Sequence, residues 1–449
     1  MRAPEEKYPL AWIDEYVANL REYVTVRETD NLLIKVPNEA HKLNPSAIKI
    51  MKELLAGGSI LTIWEKNGRE PAVRRDLYNF FISLKQILQG CVDEHNPPPA
   101  IESRPFSLDF GKLPILSEIS LTYRCNLSCL FCYAGCTCKK TQSSHSDEMS
   151  TGEVKRILEI IHNDAEVPSV SFTGGEPTLR NDLEELISFA RRELKMRVNL
   201  ITNGTLIDER KAASLKEAGL NSAQVSLEAP TEHIHDSLTQ IKGSFKKTVA
   251  AVNHLKQSDI IVHTNTTINR VNFNSVTDMP VFVKDLGLER FSMNLVIPSG
   301  SSKNEHREVN LRYSEVPDLI VQIQQAADAA GVEFMWYSPT PICIFNPIQH
   351  RLGNKGCSAC DGLLSVSPTG DVLPCSSWSE PVGNLLVEGF SEVWESKMAK
   401  WLRDKTFATD LCRRCEDFAL CQGACPLYWQ YFGDDELKQY GVDYVTAAS

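Results

Sequence analysis

Residues 115–135 read ILSEISLTYRCNLSCLFCYAG, and the organisation of the whole chain turns on this stretch. Its first residues, Ile115–Thr122, are β-prone and run into a polar loop holding Cys125, Cys129 and Cys132. From here the pattern strand, loop, helix repeats. Strands are expected at Ile115–Thr122, Ser169–Thr173, Arg197–Thr202, Ala223–Leu227, Ile260–Ile268 and Arg290–Ile297, with amphipathic helices near 151–162, 182–194, 208–218, 244–257, 274–286 and 315–330. Strands alternating with helices make parallel βαβ units, whose chemistry sits on loops at the carboxyl ends of the strands.

The 449 residues carry 47 Lys plus Arg against 58 Asp plus Glu, a net charge of −11, and 42% of them are hydrophobic. Length suggests about three domains, and the apolar fraction excludes a disordered or fibrous chain. No apolar run approaches the ~18 residues of a membrane span, and MRAPEEKYPL lacks the basic-then-apolar order of a secretory signal. A cytoplasmic enzyme is expected, without a membrane partner. The acidic balance also argues against nucleic acid, whose binding draws on Lys and Arg neutralising phosphates. Of fourteen cysteines, thirteen lie from Cys125 onward in two groups: Cys125, Cys129, Cys132, Cys136 and Cys138, then Cys343, Cys357, Cys360, Cys375, Cys412, Cys415, Cys421 and Cys425. Clustered thiols without a secretory signal read as metal or cluster ligands before disulfides. Cys91 stands alone and reads as an inert buried thiol.

The first ninety residues form their own unit. Tyr23–Val26 and Asn31–Val36 flank the turn-forming Glu28-Thr29-Asp30 as a hairpin. Asn44 caps a helix with Pro45 in its first turn, Ile48, Met51, Leu54 and Leu55 on one face and Gly57 at its end; further helices follow at 60–64 and 75–88. The prolines of HNPPPAIESRP exclude helix and central strand there. The expected organisation is therefore a winged-helix-like domain over 1–92, a linker over 93–113, a partial (β/α)6 TIM-type barrel over 114–335 and a C-terminal iron-sulfur cluster domain over 336–449, within an α/β fold class.

Three thiolates on a four-iron cube leave one iron free for a ligand other than protein. A closed zinc site wants four ligands, which here would require Cys136 or Cys138; those two read as spare loop thiols. The C-x3-C-x2-C spacing, with Phe131 before the third cysteine, resembles the radical S-adenosylmethionine superfamily. That resemblance implies that the open iron chelates S-adenosylmethionine, with Thr173-Gly174-Gly175-Glu176-Pro177 at its methionine amine, and Asn203, Ser226 and Glu228 at its carboxylate and ribose. It further implies reductive cleavage to methionine and a 5′-deoxyadenosyl radical that takes a substrate hydrogen atom, with the electron coming from a donor such as flavodoxin or ferredoxin. Where relatives often carry an arginine after His235-Asp236, this chain has Thr239, leaving Lys242 as the nearest substitute.

Farther on, Cys360-x9-Gly370-x4-Cys375 and Cys412-x2-Cys415-x5-Cys421-x3-Cys425 resemble the SPASM domain of peptide-modifying radical enzymes. The resemblance implies two auxiliary four-iron clusters, hence three clusters in all. Cys360, Cys375 and Cys425 would hold one, with Cys357 or Cys343 as fourth ligand, and Cys412, Cys415 and Cys421 the other. The family commonly has one more cysteine downstream, but none follows Cys425. Either an iron is open, or an oxygen ligand such as Asp434, Asp435 or Asp443 fills the place. Ser376 stands where sulfatase-maturing relatives have an aspartate, which argues against that activity.

Residues 20–92 resemble the PqqD-like peptide-recognition element of pyrroloquinoline quinone biosynthesis and of many peptide-tailoring enzymes; a DNA-binding winged helix would show a basic stripe, whereas the third helix offers Arg74, Arg75 and Lys85 beside Asp76. Such elements capture a leader peptide as an added strand. Together the resemblances imply a maturase acting on a ribosomally made precursor peptide bound through its leader. The rivals are trimming of tetrapyrrole side chains and maturation of another enzyme or its cofactor. A plain electron carrier has no need of Gly174, Gly175 and Glu176 beside an open iron.

Overall fold

Local sequence accounts for most elements of the computed structural model, which describes residues 7–37, 39–90, 98, 100, 110–135 and 148–441. Cys91, Cys136, Cys138 and Asp443 lie outside the described residues. The chain divides into two units, residues 1–115 and 116–449.

In the first unit a helix at Ile13–Leu20, α1, precedes an antiparallel sheet of β1 (Val24–Arg27), β2 (Leu32–Lys35) and β3 (Glu39–Lys42), in that order, with Val26 opposite Leu33. The expected hairpin is β1–β2; β3, made of Glu-Ala-His-Lys, has none of the β-branched or aromatic residues that mark a strand and is held by its pairing to β2. Helices α2 (Pro45–Leu55), α3 (Ile60–Lys66) and α4 (Pro71–Leu88) follow. Asn44 caps α2 by accepting from Ala47 N at 2.8 Å. The cap of α3 comes from a distance: Asp14 of α1 accepts from Ile60 N and Ser59 Oγ, both at 2.7 Å. Val17, Leu33, Met51, Leu54, Ile63, Phe81 and other apolar groups fill the core. Arg74 is consumed by structure, its guanidinium lying 4.6 Å from the Trp64 ring and bonded to Tyr8 O at 2.9 Å, while Arg75 pairs with Asp76. That leaves no basic stripe on α4.

The second unit is one ten-stranded sheet in the order β10-β9-β8-β7-β6-β5-β4-β11-β12-β13. The six expected strands are β4 (Leu116–Thr122), β5 (Ser169–Gly174), β6 (Arg197–Thr202), β7 (Ser222–Ser226), β8 (Ile261–Ile268) and β9 (Arg290–Leu295), all in parallel register. A seventh, β10 (Glu333–Trp336), extends the parallel run beyond β9; four residues after Gly331 are too short a signal to stand out in sequence. A helix at Glu232–Thr239 was likewise not expected, because EHIHDSLT offers only two apolar residues, Ile234 and Leu238, over eight positions. On the other side, β11 (Leu363–Val366) pairs in parallel with β4, followed antiparallel by β12 (Asp371–Leu373) and β13 (Gly383–Asn384). The sheet thus continues past residue 335 into the cysteine-rich segment. No helix among the described residues is long and apolar enough to cross a membrane.

At the end of β1, Arg27 and Asp30 form a bidentate pair, Nε and Nη2 each 2.9 Å from a carboxylate oxygen, with both side chains at most 1% exposed. Arg27 also donates to Pro114 O and Leu113 O, and Asp30 accepts from Lys112 N, so this pair ties residues 112–114 to the hairpin. Replacing Asp30 with Ala leaves a buried guanidinium without its counter-charge and is expected to destabilise the first unit by about 3–5 kcal/mol. Urea unfolding with hydrogen exchange reads this as early opening of residues 24–35. Arg27→Met combined with Asp30→Ala should recover much of the loss.

Candidate radical and cluster sites

The cysteine loop leaves the carboxyl end of β4 and is gripped from two sides. Gly175 N donates to Thr122 O at 2.7 Å and Glu176 N to Arg124 O at 2.8 Å. These bonds need bare backbone: a Cβ on Gly175 would lie 2.3 Å from Arg124 O, and one on Gly174 2.2 Å from Thr122 O. From the other side Ser301 N donates to Cys132 O at 2.8 Å, and a Cβ on Gly300, where φ is +47°, would lie 2.2 Å from that oxygen. Sequence reading missed Gly300; a lone glycine after Ser299 carries no distinctive motif.

A cavity of about 320 Å³ opens on this loop. Its walls bring together Cys125, Cys129, Cys132 and Phe131 with Gly174, Gly175, Asn203, Ser226 and Glu228, nine of the ten residues expected there. The exception is Glu176. It is fully buried and does not line the cavity; Oε1 accepts from Thr178 N and Thr202 Oγ1 at 3.0 and 2.8 Å, and Oε2 from Asn203 N at 2.8 Å. The acid staples the loop after β5 to the loop after β6, and what its motif presents to the cavity is the Gly174–Gly175 backbone. Asn203 Nδ2 contacts Cys125 Sγ at 3.8 Å and Asn126 Oδ1 at 2.9 Å. Burial pushes the Glu228 carboxyl up to about 8, although Thr267 N donates to it at 2.9 Å. Thr239 lines the cavity, whereas Lys242 belongs to a separate surface hollow with Glu232 and Asp236, so it does not replace the missing arginine.

Sequence reading also missed Glu118, Gln224, Asn265, Thr267 and Asn294, which line the same cavity from β4, β7, β8 and β9. Their signal is period-two: along β8, Val262, Thr264, Thr266 and Ile268 are buried while Asn265 and Thr267 between them face inward. One cavity thus collects residues from every strand from β4 to β9. Glu118 accepts from Ser365 Oγ at 2.7 Å and from Ser376, the residue after Cys375; burial raises its pKa against these bonds.

The remaining cysteines fall into two sets. Burial raises the thiols of Cys357, Cys360, Cys375 and Cys425, and Cys357 adds to the rise at each of the other three. Cys343 is not with them. It lines a hollow of about 30 Å³ with Cys412, Cys415 and Cys421. Asp434 and Asp435 are ion-paired with Lys438 and do not line that hollow. Among the described residues no three His, Cys, Asp or Glu side chains are close enough to share a single metal ion. Sets of four thiols are the donor chemistry of iron-sulfur clusters.

Gly300→Ala is expected to displace Cys132 and to cost the anaerobically reconstituted protein most of the roughly four irons of the first cluster. Gly152→Ala, where an added Cβ meets nothing, is the control for iron content and circular dichroism.

Comparison with known proteins bears on these sites. The radical SAM superfamily matches residues 119–281, and the SPASM iron-sulfur cluster-binding domain matches 357–416. The AdoMet-dependent heme synthase of Methanosarcina barkeri is 25% identical over 342 residues, 72% of this chain and 94% of that protein. The PqqA peptide cyclase of Gluconobacter oxydans is 29% identical over 323 residues, 70% of this chain and 85% of that one. Among solved structures, Streptococcus suis SuiB bound to precursor peptide SuiA has a TM-score of 0.65 at 16% identity, covering 90% of this chain and 95% of SuiB. The parallel sheet with its cysteine loop is a radical SAM domain, and the cysteine-rich segment that follows carries a SPASM iron-sulfur cluster-binding domain.

Proposed function

We propose that this chain is a radical S-adenosylmethionine maturase that modifies a ribosomally made peptide, built as a partial barrel with a C-terminal cluster domain. The observation that carries the radical chemistry is the convergence of Cys125, Cys129 and Cys132 with Gly174, Gly175, Asn203, Ser226 and Glu228 on one cavity. Cys125, Cys129 and Cys132 would hold the first cluster, which with S-adenosylmethionine and an electron from a flavodoxin- or ferredoxin-type donor would supply hydrogen-abstracting radical chemistry. The protein's part is to hold and orient. Asn203 and the Leu127 N–H, 3.4 Å from Cys125 Sγ, direct hydrogen bonds at a ligand sulfur. The Gly174–Gly175 backbone leaves room for an amino-acid-like group, and Ser226 and Glu228 offer oxygen partners for hydroxyls. Gln224, Asn265, Thr267, Asn294 and Glu118 form the polar wall against which substrate would be placed.

The peptide reading is supported by the first unit. Residues 116–449 are 334 of 449, or 74% of the chain, so a fold match covering 90% extends into residues 1–115. The anSMEcpe structures, by contrast, cover 74%. A three-stranded sheet with edge strands β1 and β3 suits a leader peptide added as a further strand, main chain supplying affinity and side-chain pockets selectivity. Sequence similarity to heme synthases favours a second reading, modification of a tetrapyrrole side chain.

Reduced with dithionite under anaerobic conditions, the protein should convert S-adenosylmethionine to 5′-deoxyadenosine, and replacing Cys125, Cys129 and Cys132 with Ala should abolish the product. Undiminished cleavage in that variant refutes the radical assignment. A chain beginning at residue 110 should retain this uncoupled cleavage while modifying a candidate precursor peptide at least tenfold more slowly, because the remote binding energy is lost. Modification at the full-length rate would move the weight to the tetrapyrrole reading.

A further inference from the structure

We infer that Cys343 is the fourth thiolate of the second auxiliary cluster, closing the set begun by Cys412, Cys415 and Cys421, so that no iron of that cluster is open to substrate. The inference rests on the cluster reading above and adds to it a ligand from upstream of the motif. Residues 426–449 carry no cysteine that could complete the set. In the fold the missing thiol arrives from the turn after β10. Ile344 N and Phe345 N both bond to Pro341 O, at 2.9 and 3.0 Å, which tightens the turn around Cys343. The preceding amide, Ile342 N, donates to Cys421 Sγ at 3.4 Å and so pins that turn to the helix Phe418–Cys421. Cys412 and Cys415 are themselves linked, Cys415 N donating to Cys412 O at 3.1 Å, and Cys412 N bonds to Thr409 Oγ1 at the start of its helix. The four thiols face one small hollow, walled otherwise by apolar side chains such as Leu411, Phe418 and Leu437.

A further observation agrees. The eleven described cysteines then divide without remainder into three at the radical site and two sets of four. One carboxylate, Asp417, also lines the hollow and is the rival ligand. If both auxiliary sets are all thiolate, substrate coordinates neither, and its placement falls to the polar wall of the large cavity.

The test uses the full chain carrying Cys125→Ala, Cys129→Ala and Cys132→Ala, which should hold roughly eight irons in two cubanes. Adding Cys343→Ala should remove between one and four of these and alter one of two four-iron components in the Mössbauer spectrum, while Asp417→Asn leaves both unchanged. Cyanide, a probe for an open iron, should not change the electron paramagnetic resonance of the reduced parent. Eight irons and unaltered spectra after Cys343→Ala overturn the proposal, as does a loss produced instead by Asp417→Asn. If Cys343→Ala fails to fold, the cyanide measurement on the parent decides: a changed spectrum means an open iron and rejects closure by Cys343. A parent without iron shows that the auxiliary-cluster reading itself fails, an outcome distinct from eight irons that ignore Cys343.

Discussion

The close approach of three backbone segments at the carboxyl ends of β4, β5 and β9 is the constraint on which the radical site depends. Gly175 and Glu176 on one side and Ser301 on the other bond the cysteine loop through main-chain groups, and Gly174, Gly175 and Gly300 are the residues whose missing Cβ permits it. A loop with three cysteines is otherwise free to scatter its thiols. Buried hydrogen bonds to main chain hold it without occupying any side chain needed for chemistry. Glu176 extends the same arrangement by linking the loops after β5 and β6, at the cost of burying a carboxylate that four donors offset.

A second consequence follows from where β11 sits. By pairing with β4, the strand that leads into the cysteine loop, it brings the cysteine-rich segment to the edge of the same sheet. Ser365 on β11 and Ser376 beside Cys375 both bond Glu118, so the wall of the large cavity and the segment carrying Cys375 are joined through a single carboxyl group. Lys405 anchors the other end of that cysteine set: it is almost fully buried, donates to Cys357 O at 2.7 Å and pairs with Asp361 at 2.8 Å. Cys357 and Cys375 are therefore tied to the sheet and its buried polar contacts.

The first unit illustrates how a familiar outline misleads when charge is ignored. A sheet and helices of this kind suit several partners, and three basic residues on α4 would count toward nucleic acid. In the fold Arg74 stacks on Trp64 and Arg75 meets Asp76, so the charge is spent on structure.

The chain's own order determined the strands and helices of the repeating part, the radical motif and the two cysteine series, because these rest on spacings of a few residues. Period-two alternation would also have disclosed Asn265 and Thr267 once β8 was read as a strand lining a cavity. The rest required tertiary structure. That Glu176 bonds Thr202 and Asn203, that Gly300 closes on Cys132, that β11 joins β4 and that Cys343 lines a hollow with Cys412 rather than with Cys357 are all contacts between segments far apart in sequence. No local propensity encodes them; they follow from which strand ends the sheet brings to one place.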